Sequence, residues 1–146
     1  MTDRDFTCSV EVAIPPPTAL ELIRQVSAWW VVDVEGETAG LGDEFTVRSG
    51  TTWVKFKIVD VVPSEKLVWN VVDCFLPWNG DKTEWNNTAI IWELCASAGG
   101  TQIKFTHEGL VPEVECYSQC AKSWSSYIKE SLHKFINSGV GLPNKF

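Results

Sequence analysis

Hydrophobic and polar residues alternate with a period of two along most of the chain, and with a helical period in its last third. Phe6, Cys8, Val10, Val12 and Ile14 share one face and Thr7, Ser9 and Glu11 the other, which predicts a half-buried strand over 6–14. Pro15-Pro16-Pro17 stops it. Thr18 and Glu21 have the spacing of a capping box and predict a short helix through Leu20, Leu22, Ile23 and Val26, leading to Ala28-Trp29-Trp30. Period two then returns over 31–35, 44–48 and 52–62, with Gly-containing turns between. Pro63-Ser64-Glu65-Lys66 turns the chain into 67–73. A long polar loop carrying Pro77, Trp78, Asn79-Gly80 and Trp85 precedes two more strands, 88–95 and 101–107, joined through Ala98-Gly99-Gly100.

One face of this meander holds Val54, Phe56, Ile58, Leu67, Trp69, Val71, Ile90, Trp92, Leu94, Ile103 and Phe105. Lys55, Lys57, Asn70, Glu93, Gln102 and Lys104 mark the other. A sheet that is apolar on one side needs a cover on that side only. After Pro112 a helix is predicted from about Glu113 to Ser138, ended by Gly139. Tyr117, Cys120, Ala121, Trp124, Ile128, Ser131, Leu132 and Phe135 fall on one stripe of it, whereas Lys122, Lys129, Glu130 and His133 fall away. Strand, short helices, six strands and a long helix make an α+β order with two layers. No linker or repeat divides it, so a single domain over 1–146 is expected.

Composition narrows the partners. With 146 residues and 45% hydrophobic content, the chain is long enough for one core. A net charge of −7 opposes nucleic acid, which is gripped by clustered Lys and Arg, and anionic membrane surfaces. No apolar run approaches the roughly 18 residues of a membrane span, and the start Met1-Thr2-Asp3-Arg4-Asp5 is polar. Membrane insertion is therefore not expected, and a cytoplasmic location is. The cysteines (Cys8, Cys74, Cys95, Cys116, Cys120) are five in number and scattered, as free thiols in a reducing compartment are.

The motif Gly100-Thr101 leading into Ile103-Lys104-Phe105-Thr106-His107-Glu108-Gly109-Leu110 is followed by Cys120-Ala121-Lys122-Ser123-Trp124, then by Leu132, Gly139 and Pro143. Upstream, Ile58 to Pro63 is followed by Glu65-Lys66-Leu67-Val68-Trp69. In these residues the chain resembles homologues of the activator of heat-shock protein 90 ATPase, within the START-like and birch-pollen-allergen-like (SRPBCC) superfamily. The resemblance implies a helix-grip fold: a curved antiparallel sheet of six or seven strands around a long C-terminal helix, with a cavity between them. Superfamily members use that cavity for lipids, hormones or secondary metabolites, or, in cyclase-like relatives, for aromatic polyketide chemistry. The co-chaperone that names the family is similar to this chain only in its C-terminal domain, and its N-terminal chaperone-binding domain finds no counterpart in the 146 residues. Family members usually carry Gly before the helix Trp, where this chain has Ser123, a position off the inner stripe.

Trp69 and Trp92 from two strands and Trp124 from the helix converge on this interface as cross-strand and facing neighbours. With Phe56, Phe105, Ile90, Val71, Cys120 and Ile128 they form the expected cavity wall for an apolar or aromatic small molecule. The alternative is a dry core in which the rings fill volume. Trp29 and Trp30 are placed at an entrance, and Trp78 and Trp85 in a lid, an exposed patch or a dimer contact. His107, at the inward end of the last strand, is a candidate to orient a polar group or act as a base, with Asp73 as a distant polar partner. A satisfied histidine bonding the loop before the long helix is the plainer reading. Cys116, Cys120 and His107 lack the fourth ligand of a zinc site, so no metal is expected. GxSxG, HExxH, P-loop and dinucleotide motifs are absent, so no catalytic residue or cofactor is assigned. Ligand binding leads; a co-chaperone-like or self-associating module, or a cyclase- or hydrolase-like enzyme using His107, are the alternatives.

Overall fold

The cleanest alternation in the chain becomes β1 (Phe6–Val12), with Cys8, Val10 and Val12 buried. In the computed structural model, which describes residues 4–143, it is followed by α1 (Pro16–Ile23) and α2 (Val26–Trp29). Then come β2 (Asp33–Gly36), β3 (Glu44–Ser49), β4 (Thr52–Val62), β5 (Lys66–Phe75), β6 (Ala89–Ser97) and β7 (Gly100–Glu108). A continuous helix closes the fold as α3 (Tyr117–Ser126), a π-helical segment (Tyr127–Leu132) and α4 (His133–Ser138). The strands form one antiparallel sheet in the order β1-β7-β6-β5-β4-β3-β2. The fold is α+β, with the helices on the concave face.

Two helix starts differ from expectation. α1 begins at Pro16, and the box of Thr18 and Glu21 does not form: no side chain caps the helix, and Glu21 pairs with Arg24 at 2.9 Å. The prolines explain this. Pro16 and Pro17 have no N–H to satisfy and fix φ near the helical value, so little is left for a cap to do. The long helix begins at Tyr117 rather than Glu113, because the preceding residues turn. The Val114 N–H donates to the Val111 carbonyl and the Tyr117 N–H to that of Val114. Its end is as read: Gly139 takes φ 83°, which only glycine adopts without strain.

The sheet curves through two bulges between β4 and β5. Lys55 lies opposite Asp73 but Phe56 opposite Val71, and Ile58 opposite Trp69 but Asp60 opposite Val68. Val72 and Val59 are the extra residues, and both are exposed. A bulge reverses the inward and outward sense of everything beyond it. Asp73 therefore stands on the outer face, and Cys74 takes the inner position. The expectation that Asp73 continues the inward row of Val71 is corrected here.

The interior is filled by interlocking rings. Trp69 faces Ile90, and Trp92 faces Leu67, so the two indoles are diagonal rather than direct neighbours, edge to face at 5.6 Å. Trp124 meets Phe105 at 4.6 Å and Trp30 at 4.8 Å. The small helix α2 drives Trp29 and Trp30 into the space between sheet and helix. Trp29 is edge-on to Trp92 at 5.7 Å, with its Nε1–H donating to the Ile23 carbonyl, and Trp30 packs on Phe56 at 5.7 Å. Trp29 therefore fills the middle of the interface rather than an entrance, while Trp30 packs beside it against the helix. Trp92→Ala is accordingly expected to lower stability by about 3–5 kcal/mol in urea unfolding followed by circular dichroism. A loss below about 1 kcal/mol would show that the rings are not close-packed.

Candidate functional site

His107 is fully buried, and both of its ring nitrogens are engaged. Trp124 Nε1–H donates to Nδ1 at 3.1 Å, so Nε2 carries the proton and donates to Thr88 Oγ1 at 2.9 Å. Thr88 in turn donates to the Trp85 carbonyl at 2.6 Å. The Trp85 ring stands edge-on to His107 at 4.8 Å and stacks with Trp124 at 5.8 Å. Burial pushes the imidazole pKa down to about 3, because a charged ring has no water around it here. His107 is a neutral tie joining β7, the β5–β6 loop and α3.

The β5–β6 loop (76–88) is held against the start of α3 by reciprocal carboxylates. Glu84 accepts from the backbone N–H groups of Glu115 and Cys116 at 2.8 and 2.9 Å. Glu115 accepts from those of Gly80 and Asp81 at 2.6 and 3.1 Å. Burial alone would raise the Glu84 pKa, but these bonds, with one from Asn79, outweigh it and leave the pKa lowered. A Cβ at Gly80 would stand 2.6 Å from the Glu115 carboxylate, so that side chain would have to shift to admit one. Trp85 Nε1–H also donates to Cys116 Sγ at 3.3 Å. A hydrogen bond between the thiols lowers the Cys116 pKa, and the same bond together with burial raises that of Cys120.

This anchored loop forms one wall of a cleft of about 190 Å³, which opens at the β3–β4 end of the sheet. Leu76, Trp78 and Trp85 come from the loop, while Trp30 and Val31 follow α2. Val47, Arg48, Ser49, Thr52 and Val54 come from the β3–β4 hairpin. Gln119, Cys120, Ser123, Trp124 and Tyr127 form the helix side. Four indoles and a phenol thus border one space, with polar groups at its rim. Trp78 is 44% exposed, whereas Trp85 and Trp124 are buried.

Of the expected cavity residues, Trp124 and Cys120 border this cleft. Trp69, Trp92, Phe56, Phe105, Ile90, Val71 and Ile128 are buried in the ring-packed interior, His107 lies behind Trp85 and Trp124, and Asp73 faces outward. The open space is therefore displaced from the middle of the interface to one end, because Trp29 and Trp30 occupy the middle. Arg48, Gln119 and Ser123 were missed, since alternation and the helical wheel both put them outside. The signal that pointed here was two tryptophans in one long polar loop.

A long helix held in the concave face of an antiparallel sheet defines a helix-grip protein. The family model "Activator of Hsp90 ATPase homolog 1-like protein" matches residues 22–137, and the chain belongs to that family. Among solved structures, the Aha1 dimer from Colwellia psychrerythraea is 19% identical, with a TM-score of 0.79 over 97% of this chain and 100% of that one. A protein from Mesorhizobium loti is 14% identical, with a TM-score of 0.69 over 86% of this chain and 92% of that one. One from Staphylococcus saprophyticus is 16% identical, with a TM-score of 0.69 over 94% and 95%. These likenesses show the fold. No curated protein matches the chain.

The His107 environment sets a pH dependence. The unfolded imidazole takes a proton below its ordinary pKa of 6.5, while the folded one does not until about pH 3. Stability is therefore complete above pH 6.5 and falls as pH drops through that window, by about 1.4 kcal/mol per unit. Between roughly pH 7 and pH 4.5 the wild type is expected to lose about 2–3 kcal/mol more than His107→Gln does in urea unfolding. Equal losses in the two proteins would contradict a neutral, enclosed His107.

Proposed function

We propose that this protein binds a small, planar, largely apolar molecule in the cleft between the β3–β4 hairpin, the β5–β6 loop and α3. The observation that carries the reading is the bordering of one open space by Trp30, Trp78, Trp85, Trp124 and Tyr127, in an interface whose middle is closed by rings. Indoles give large contact area at low entropic cost. An apolar cavity of about 150 Å³ takes a benzene ring, so a cleft of about 190 Å³ suits one or two fused rings rather than a long acyl chain. Burial at about 25 cal/mol per Å² places the affinity in the micromolar range. The reciprocal bonds of Glu84 and Glu115 keep the loop wall in place before a ligand arrives, which lowers the ordering cost of binding.

The alternative built on His107 chemistry loses its base, because both ring nitrogens are committed and the ring does not border the cleft. A naphthalene-based dye is expected to quench tryptophan fluorescence saturably. Trp78→Ala, a change at a half-exposed ring, is expected to weaken binding about fivefold, a loss near 1 kcal/mol, with unchanged melting temperature. No saturable quenching up to millimolar dye would overturn the reading.

A further inference from the structure

Cys116 and Cys120 form a pair of thiols at the start of α3. Cys116 is the residue that precedes the helix, and the Cys120 N–H donates to its carbonyl at 2.8 Å. A spacing of four sets both side chains on one helix face, and the two sulfurs hydrogen-bond to each other. Both residues are buried, and both thiols are free. Trp85 Nε1–H donates to Cys116 Sγ at 3.3 Å. The nearby Glu84 carboxylate is already committed to the backbone N–H groups of Glu115 and Cys116 and to Asn79. Cys120 borders the cleft, which gives the pair a route to solvent.

Among the described residues no group of three or more Cys, His, Asp or Glu side chains is placed to hold a metal. Ions that demand four ligands, zinc above all, are therefore not served. A soft closed-shell ion of single charge is different, because thiolate is the ligand that selects it and two thiolates satisfy it. Two thiolates around a monocation leave one negative charge, which the N-terminus of α3 and the Trp85 N–H both favour. We propose that Cys116 and Cys120 are the two ligands of a soft monovalent cation of the copper(I) class. On binding, each sulfur gives its proton to water and forms one bond to the metal, with no change of oxidation state. The proposal is independent of what the cleft binds.

The test uses the whole reduced chain without oxygen, carrying Cys95→Ser to remove the one exposed thiol among the five. Copper(I) is offered as its bathocuproine disulfonate complex, whose absorbance reports the metal it loses. The chain is expected to withdraw one equivalent with quenching of tryptophan fluorescence, and X-ray absorption to show two sulfur neighbours around the copper. Cys116→Ser and Cys120→Ser are each expected to weaken binding at least about a hundredfold, since a lost ligand costs more than a lost outer partner. Cys8→Ala, on the far strand β1, is expected to leave it unchanged. Should the serine variants fail to fold, the X-ray absorption spectrum of the parent chain still decides. No withdrawal of copper, nitrogen or oxygen neighbours in that spectrum, or undiminished binding by the folded serine variants overturns the proposal. Equal capture of zinc(II) would also contradict a site of two sulfurs.

Discussion

A curved seven-stranded sheet offers more concave apolar surface than one helix can cover, and the wedge of Trp29 and Trp30 resolves that mismatch. The two indoles enter from a four-residue helix and touch Trp92, Phe56 and Trp124, so sheet and helix meet through them. Close packing of rings at 4.6–5.7 Å leaves no space for a guest at the centre. A cleft lies where the wedge ends, at the β3–β4 hairpin. The position of the cleft is thus a consequence of how the core is closed.

Buried polar groups then hold the cleft walls in place. His107 links Trp124 of the helix to Thr88 of the loop. Glu84 and Glu115 exchange bonds with each other's backbone neighbourhoods. Ser131 donates to the Trp29 carbonyl at 2.5 Å and accepts from the Leu142 N–H at 2.8 Å, which fastens the wedge to the helix and the tail to both. Each tie satisfies groups that would cost about 1–3 kcal/mol if buried alone. The indole N–H groups of Trp69 and Trp92 find no hydrogen-bond partner among the described residues. Their burial is offset by ring packing instead, a sign that apolar area outweighs polar satisfaction at the centre.

The legible parts of the sequence were those in which one period governs. Period two through Val54, Phe56 and Ile58, and through Ile103 and Phe105, reads directly as inward-facing side chains. The stripe of Cys120, Trp124, Ile128, Leu132 and Phe135 likewise reads as the buried helix face. A bulge adds one residue without changing composition, so nothing in the alternation announced that Val72 would turn Asp73 outward. α2 is too short to show a period, which is why Trp29 read as part of an entrance although it is wholly interior, whereas Trp30 does border the cleft. Ser123 borders the cleft because the β3–β4 hairpin and the β5–β6 loop pack beside the first turns of α3, a property of tertiary geometry that no local pattern encodes. His107 is hydrogen-bonded through both ring nitrogens, but to Trp124 of the helix and Thr88 of the β5–β6 loop rather than to the loop before the helix; the polar groups of the rim had no signature at all.

The central claim is that the interface is closed in its middle and open at one end. The most direct measurement follows the indole N–H resonances of the eight tryptophans by two-dimensional NMR during titration with a naphthalene-based compound. The account predicts that Trp78, Trp85, Trp124 and Trp30 shift saturably while Trp69 and Trp92 stay fixed. Shifts concentrated on Trp69 and Trp92 would contradict it, because they would place the guest where the structure has only packed rings.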